Sequence, residues 1–162
     1  MPHVELRPLQ DDDLDAMYEM LIREPAAAAA PGVTVEDPLD RSVFDASIAA
    51  ERASDDIDSF AVTENGAFVG TAGTFTFEDD REVVFWIART ARGRGLATEA
   101  LRMLVSREPI RPLYARVAAD NAAAIAVLQR IGFAEVSREP AAPAARHTGE
   151  LLYALLPVLD GI

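Results

Sequence analysis

The sequence predicts a mixed α/β fold in a single domain over residues 1–162, and three observations carry that prediction. Several short segments are rich in branched and aromatic residues, above all Arg81–Ala88 (REVVFWIA), which favours strands. Others place apolar residues at i, i+3, i+4 spacing behind a capping residue, the mark of amphipathic helices. Their order is strand, two helices, three strands, helix, strand, helix, two strands, with no repeat and no linker to mark a second domain. With 162 residues, half of them hydrophobic, the chain can bury one substantial core.

Val4–Arg7 reads as a first strand, stopped by Pro8. Asp11-Asp12-Asp13 caps a helix and puts negative charge on its first turn, and Leu14, Met17, Tyr18, Leu21 and Ile22 form its apolar stripe. Glu24–Gly32 (EPAAAAAPG), with two prolines, reads as a surface loop. A second helix is predicted from about Asp40 to Ala53. Ser59–Thr63 and Ala67–Phe77 form a hairpin across Glu64-Asn65-Gly66, and Glu78-Asp79-Asp80 turns into the strand Arg81–Ala88.

The next helix runs from Ala97 to about Val105 and buries Ala97, Ala100, Leu101 and Leu104. Leu113–Val117 is a strand. Asp120 or Asn121 then caps a helix whose buried face is Ala124, Val127, Leu128 and Ile131. Gly132 ends it in the left-handed conformation, and Phe133 folds back as a hydrophobic anchor. Phe133–Ser137 and Glu150–Leu156 are two last strands, joined by the alanine- and proline-rich loop 139–147.

Composition removes several function classes. The chain has no cysteine, so it has no disulfide, thiolate metal site or cysteine nucleophile. His3 and His147 lie near opposite ends, read as surface residues, and offer no metal-ligand spacing; no metal is expected. A net charge of −12 argues against nucleic-acid and anionic-membrane partners. No apolar run approaches the ~20 residues of a membrane span, and the first residues do not read as a secretory signal. A cytoplasmic location is the default expectation. Lysine is absent too, which rules out a P-loop.

The segment Arg92-Gly93-Arg94-Gly95-Leu96-Ala97 lies between the strongest strand and a strong helix. A helix start leaves N–H groups unpaired and carries partial positive charge, and glycines let an anion approach the backbone. Eight of the fifteen basic residues (Arg81, Arg89, Arg92, Arg94, Arg102, Arg107, Arg111 and Arg116) crowd this stretch, which predicts a local positive field for a polyphosphate ligand. On the glycines alone, a tightly packed strand–helix connection with ordinary solvated arginines is the favoured reading of the segment. A dinucleotide fingerprint would need glycine or alanine at 98, where Thr98 stands.

The segment resembles the signature of the GNAT acetyltransferase superfamily, Arg/Gln-x-x-Gly-x-Gly/Ala between a strand and a helix, and Ala97-Thr98-Glu99-Ala100-Leu101 continues the likeness. Downstream, Asn121, Ala124-Ile125 and Gly132-Phe133 are similar to the family's second element, and Leu6-Arg7-Pro8-Leu9 resembles its opening strand. The specific motifs lie within 82–133. Glu82–Ile87 and Ala126-Val127-Leu128 look most like the ribosomal-protein alanine N-acetyltransferase branch.

This resemblance implies a largely antiparallel sheet of about seven strands with one splayed parallel pair, flanked by about four helices. It implies acetyl-CoA as acetyl donor and a primary amine as acceptor, either a small molecule or a protein N-terminus. Backbone groups around Ile87, Ala88 and Arg89 would pair with the pantetheine arm, and an N–H near Ile87 would stabilise the oxyanion. The amides of Arg92, Gly93, Arg94, Gly95, Leu96 and Ala97, with the Thr98 hydroxyl, would cradle the pyrophosphate, and Asn121 would fix the cofactor's arm. Glu82 is the candidate general base, with Asp79 and Asp80 as alternatives. Related enzymes often protonate the departing thiolate with a tyrosine, but Leu128 occupies that position, leaving Tyr114 or Tyr153 as substitutes or water itself. A non-catalytic acyl-CoA-binding or sensing module is the rival reading, and a homodimer is a family-level expectation.

Overall fold

A computed structural model describes residues 3–23, 40–139 and 150–157. The elements follow the predicted order: β1 (Val4–Pro8), α1 (Asp11–Arg23), α2 (Arg41–Ala53), β2 (Ile57–Glu64), β3 (Ala67–Phe77), β4 (Asp80–Ile87), α3 (Leu96–Arg107), β5 (Leu113–Ala118), α4 (Ala122–Ile131), β6 (Ala134–Glu139) and β7 (Glu150–Leu155). A short 3₁₀ turn, Arg89–Ala91, leads out of β4. The loop reading of 24–32 and most of the loop 139–147 lie outside the described residues. Among the described residues, no helix is long and apolar enough to cross a membrane.

The seven strands form one sheet in the order β1-β2-β3-β4-β5-β7-β6. Every neighbouring pair is antiparallel except β4 and β5. That parallel pair touches only at Arg81↔Leu113 and Glu82↔Tyr114, after which the two strands part. The mixed fold is as the sequence predicts, and the splayed parallel pair is as the family resemblance implies.

The turns show why the hairpins form where they do. Asn65 and Gly66 take φ of 52° and 88°, the paired positive torsions of a two-residue turn that matches the twist of the strands. Glu78 and Asp79 do the same at 49° and 69°, so the second turn is two residues long and Asp80 already belongs to β4. Gly132 closes α4 at φ 114°. The N–H groups of Gly132 and Phe133 both reach the Leu128 carbonyl, and Phe133 is buried as the anchor.

Two cores lie on opposite faces of the sheet. The larger joins the sheet to α3 and α4 through Leu96, Ala100, Leu101, Leu104 and Leu128. The smaller packs Met17 and Leu21 of α1 against Phe44 and Ile48 of α2, with Trp86 beneath them. Arg7 forks onto Asp13 at 2.7 and 2.8 Å, and Asp13 also accepts from the Gln10 N–H, tying β1 to the start of α1. The Arg7 hydrogen bond holds the Asp13 carboxyl below its ordinary range.

Two helix faces differ from the sequence reading. In α3 Leu96 is buried while Ala97 is only half-buried, because the first turn faces an opening rather than the sheet. In α4 Leu128 is buried, whereas Ala124 and Val127 are half-buried beside the same opening.

Candidate active site

The opening between β4 and β5 is a cleft of about 660 Å³, within the usual size of small-molecule and cofactor sites. Phe85, Trp86 and Ile87 of β4, Arg89 and Ala91 of the 3₁₀ turn, the start of α3, and one side of α4 line it. Phe85 and Trp86 project to opposite faces of the sheet, as strand alternation predicts. Phe85 packs on the larger core and Trp86 on the smaller. The Trp86 Nε1 is buried and has no hydrogen-bond partner among the described residues.

Register decides which backbone groups face the cleft. The Ala88 N–H donates to the Val69 carbonyl at 2.8 Å, so the preceding pair, Gly70↔Ile87, is a non-hydrogen-bonded one. The N–H and C=O of Ile87 therefore point away from β3, into the gap that β5 leaves. Arg92 Nε donates to that carbonyl at 2.9 Å, which fixes the last peptide of β4. Of the three residues expected along the pantetheine arm, Ile87 and Arg89 line the cleft. Ala88 is buried and its N–H is already used by β3.

Gly70 contributes by what it lacks. A Cβ there would lie 2.1 Å from the Trp86 carbonyl oxygen and 3.0 Å from the Ile87 Cα. Only glycine lets β3 run this close to the end of β4. The signal was present in the sequence as a glycine inside a strand, but sequence alone does not say which backbone approaches it.

The turn 92–97 delivers the helix start. Gly93 and Gly95 hold φ of 87° and 76°, which other residues rarely adopt, and a Cβ on either would meet nothing within 4 Å. Gly95 is the N-cap of α3 and supplies no capping side chain. The first bond of the helix runs from Glu99 N–H to the Gly95 carbonyl, leaving the N–H groups of Leu96, Ala97 and Thr98 without an intrahelical acceptor. Arg92, Gly93, Gly95, Leu96, Ala97 and Thr98 all line the cleft. Open space above two glycines, facing an uncapped helix start, fits a pyrophosphate.

Asn121 lines the cleft from the far side, and its Oδ1 caps α4 by accepting from the Ala124 N–H at 3.2 Å. The cap uses the oxygen of the side chain and not its NH₂. Ala123, Ala124 and Ala126 make that wall of α4 low, which keeps the cleft wide.

The expected arginine field needs correction. Of the eight arginines in that stretch, only Arg89 and Arg92 line the cleft. Arg81 is buried and bonded to Glu108 and Asp58, Arg94 is paired with Glu64, and Arg102 with Glu99. Arg107 donates to the Leu6 carbonyl, Arg111 to those of Glu108 and Val105, and Arg116 to Glu82. An arginine whose donors are spent on a fold contributes little to a ligand's field. The cleft instead draws Arg23 from the end of α1 and Arg130 from α4, two residues with no local motif to reveal them.

Glu82 does not line the cleft. It is only 2% exposed, and Arg116 Nε lies 3.3 Å from its Oε2. It shares the α1–α2 face of β4 with Trp86, four residues and about 13 Å along the strand. Leu128 is 1% exposed and points into the core, and Tyr153 is buried there too. Tyr114 stands opposite Glu82 in the register and is also absent from the cleft lining. His3 is exposed on β1's approach beside Glu5, whereas His147 lies outside the described residues.

The sheet, split at one parallel pair, opens onto a glycine-bounded helix start, the arrangement that the resemblance implies. The profile described as "Acetyltransferase (GNAT) domain" matches residues 3–134, and the chain belongs to that family. Among solved structures it is similar to RimL, the ribosomal L7/L12 alpha-N-protein acetyltransferase in complex with coenzyme A. Identity is 18% and the TM-score 0.75, over 94% of this chain and 93% of that one. It is similar to Mycobacterium smegmatis RimJ in complex with CoA-disulfide, at 22% identity and a TM-score of 0.78, over 94% and 81%. It is also similar to spermidine N-acetyltransferase from Vibrio cholerae in complex with CoA and spermine, at 16% identity and a TM-score of 0.79, over 94% and 95%. At these identities the likeness is one of fold. A search of curated proteins finds no match.

Proposed function

We propose that this protein is an N-acetyltransferase that moves an acetyl group from acetyl-CoA to a primary amine by direct attack within a ternary complex. The observation that carries the reading is the uncapped start of α3, with Gly93 and Gly95 open to a cleft that begins where β4 leaves β5. Acetyl-CoA supplies an activated carbonyl carbon. Backbone N–H groups from Gly93 to Thr98 bind the pyrophosphate, with Arg130 and Arg23 adding positive charge at the rim. The Ile87 N–H, aimed into the gap, donates to the carbonyl oxygen as charge grows on it.

The amine must be neutral to attack, and the described cleft lining holds no carboxylate, histidine or tyrosine to take its proton. Glu82 is the proposed base at one remove. Its carboxylate is paired with Arg116 and lies about 13 Å along β4 from Trp86 on the same face, so it acts only if a chain of several waters carries the proton. No side chain at position 128 serves as the acid, and water protonates the thiolate.

The buried Leu128 and the lack of an acid–base side chain in the lining favour one second reading, a module that binds acyl-CoA without turnover. Release of free CoA thiol in the presence of a panel of amines and N-terminal peptides separates the two. The cysteine-free chain adds no thiol of its own to that signal. Amine-dependent release establishes the enzyme, whereas tight acetyl-CoA binding without release across the panel favours the sensor.

A further inference from the structure

Between Arg92 and Thr98, Arg94 is the residue that does not line the cleft. Its guanidinium turns to the end of β2 and forks onto Glu64, with Nη2 2.6 Å from Oε1 and Nε 3.1 Å from Oε2. Glu64 is well placed to serve as an anchor. It closes the β2–β3 hairpin opposite Ala67 and pairs with Val4 of β1 on its other side. Its side chain is 16% exposed against 47% for Arg94, so the carboxylate is the fixed partner and the arginine the reaching one.

The turn needs such an anchor. Glycine stands on both sides of Arg94 at positive φ, and the helix start behind it has no side-chain cap. Glycine-flanked backbone is soft, so the direction of its N–H groups is set by what holds the residue between. The same pair also neutralises Glu64, whose charge, bonded to a residue of the turn, would otherwise oppose the approach of an anionic ligand.

We propose that Arg94 is a positioning residue and not a phosphate ligand: it neutralises Glu64 and ties the anion-binding turn to the β2–β3 hairpin. The proposal rests on the cofactor reading above and adds a division of labour within it. The amides of the turn bind the ligand, and the one arginine between the two glycines holds the turn.

The two roles predict opposite behaviour in a double substitution. Arg94→Gln loosens the turn and leaves the Glu64 charge without its arginine partner. Glu64→Gln in that background removes the repulsion. Calorimetric titration with CoA should show Arg94→Gln weakening binding at least tenfold and Glu64→Gln/Arg94→Gln recovering threefold or more of that loss. Steady-state kinetics should place the Arg94→Gln defect in KM for acetyl-CoA, with kcat within twofold. A double variant as weak as the single one would show that neutralising Glu64 is not what Arg94 does, and an Arg94→Gln protein with unchanged affinity would remove it from the site; either result overturns the proposal. Wild-type protein that binds no CoA would take down the cofactor reading itself, whereas wild-type binding without recovery in the double variant takes down only the role given to Arg94.

Discussion

Arg81 Nε lies 2.6 Å from Glu108 Oε1, both side chains buried, at the residue where β4 first pairs with β5. The same guanidinium donates to the Asp56 carbonyl, the Asp58 carboxylate and the hydroxyls of Thr74 and Thr76. Glu108 follows the last residue of α3, and its Oε2 accepts from the Ile110 N–H. The pair clamps the closed end of the splayed strands, so the opening starts immediately beyond it.

Glu108→Gln should therefore cost about 3 kcal/mol, the low end for a broken buried pair because Asp58 still faces Arg81. In a domain of this size that is roughly 6–12 °C in Tm, readable by calorimetry. Burial works against the ionised form of Glu108, but the Arg81 and Ile110 hydrogen bonds outweigh it and hold the carboxyl below its ordinary range. The stability from this group is thus complete above the ordinary glutamate value near 4.3 and fades as pH falls below it. The variant should lose that part of the acid sensitivity, and an identical pH–Tm profile would show that the pair is not a clamp.

Glu51 gives the opposite sign. Burial raises its carboxyl above the ordinary range, against the smaller effects of the Ser59 hydroxyl at 2.5 Å and of Arg52. A raised carboxyl favours the folded protein below the unfolded value and disfavours it as pH rises through the folded one. Glu51→Gln should raise Tm at pH 7 and leave it nearly unchanged near pH 4. Equal shifts at both values would contradict this.

Gly70→Ala tests the close approach of β3 to the end of β4. The added methyl would collide with the Trp86 carbonyl, and overpacking of this kind costs about 1–3 kcal/mol. Because the strain falls next to Ile87, kcat should drop more than KM for acetyl-CoA rises. A variant with lower Tm but normal kcat would separate the glycine from the chemistry.

Much of this fold was legible because local rules and tertiary structure agree. Asn65-Gly66 turns where a hairpin needs positive φ, Asp40 caps α2 through the Ser42 and Val43 N–H groups, and Gly132-Phe133 closes α4. The glycine turn was legible for the same reason. What sequence could not supply was direction. Arg81 and Arg94 look alike beside the motif, yet one is a buried clamp and the other a tether, because each faces a carboxylate distant in the chain. Arg23 and Arg130 reach the cleft from elements whose approach only the packing decides. Glu82 likewise reads as a free strand carboxylate until Arg116 is brought beside it by the parallel pair.

Glu82→Gln probes the proposed base. It should lower kcat at neutral pH at least tenfold while KM for acetyl-CoA stays within twofold. A rate within about twofold of wild type, less than ~0.5 kcal/mol of barrier, would leave Glu82 as Arg116's structural partner only.

The anion-binding turn is the centre of the account, and Gly95→Glu addresses it most directly. Gly95 holds φ of 76° with open space above it, so a glutamate there places bulk and negative charge where the pyrophosphate is assigned. Titration calorimetry with CoA should give one-site binding for the wild type and none for the variant, with far-ultraviolet circular dichroism unchanged. Equal affinity in the two proteins would contradict the assignment of the turn.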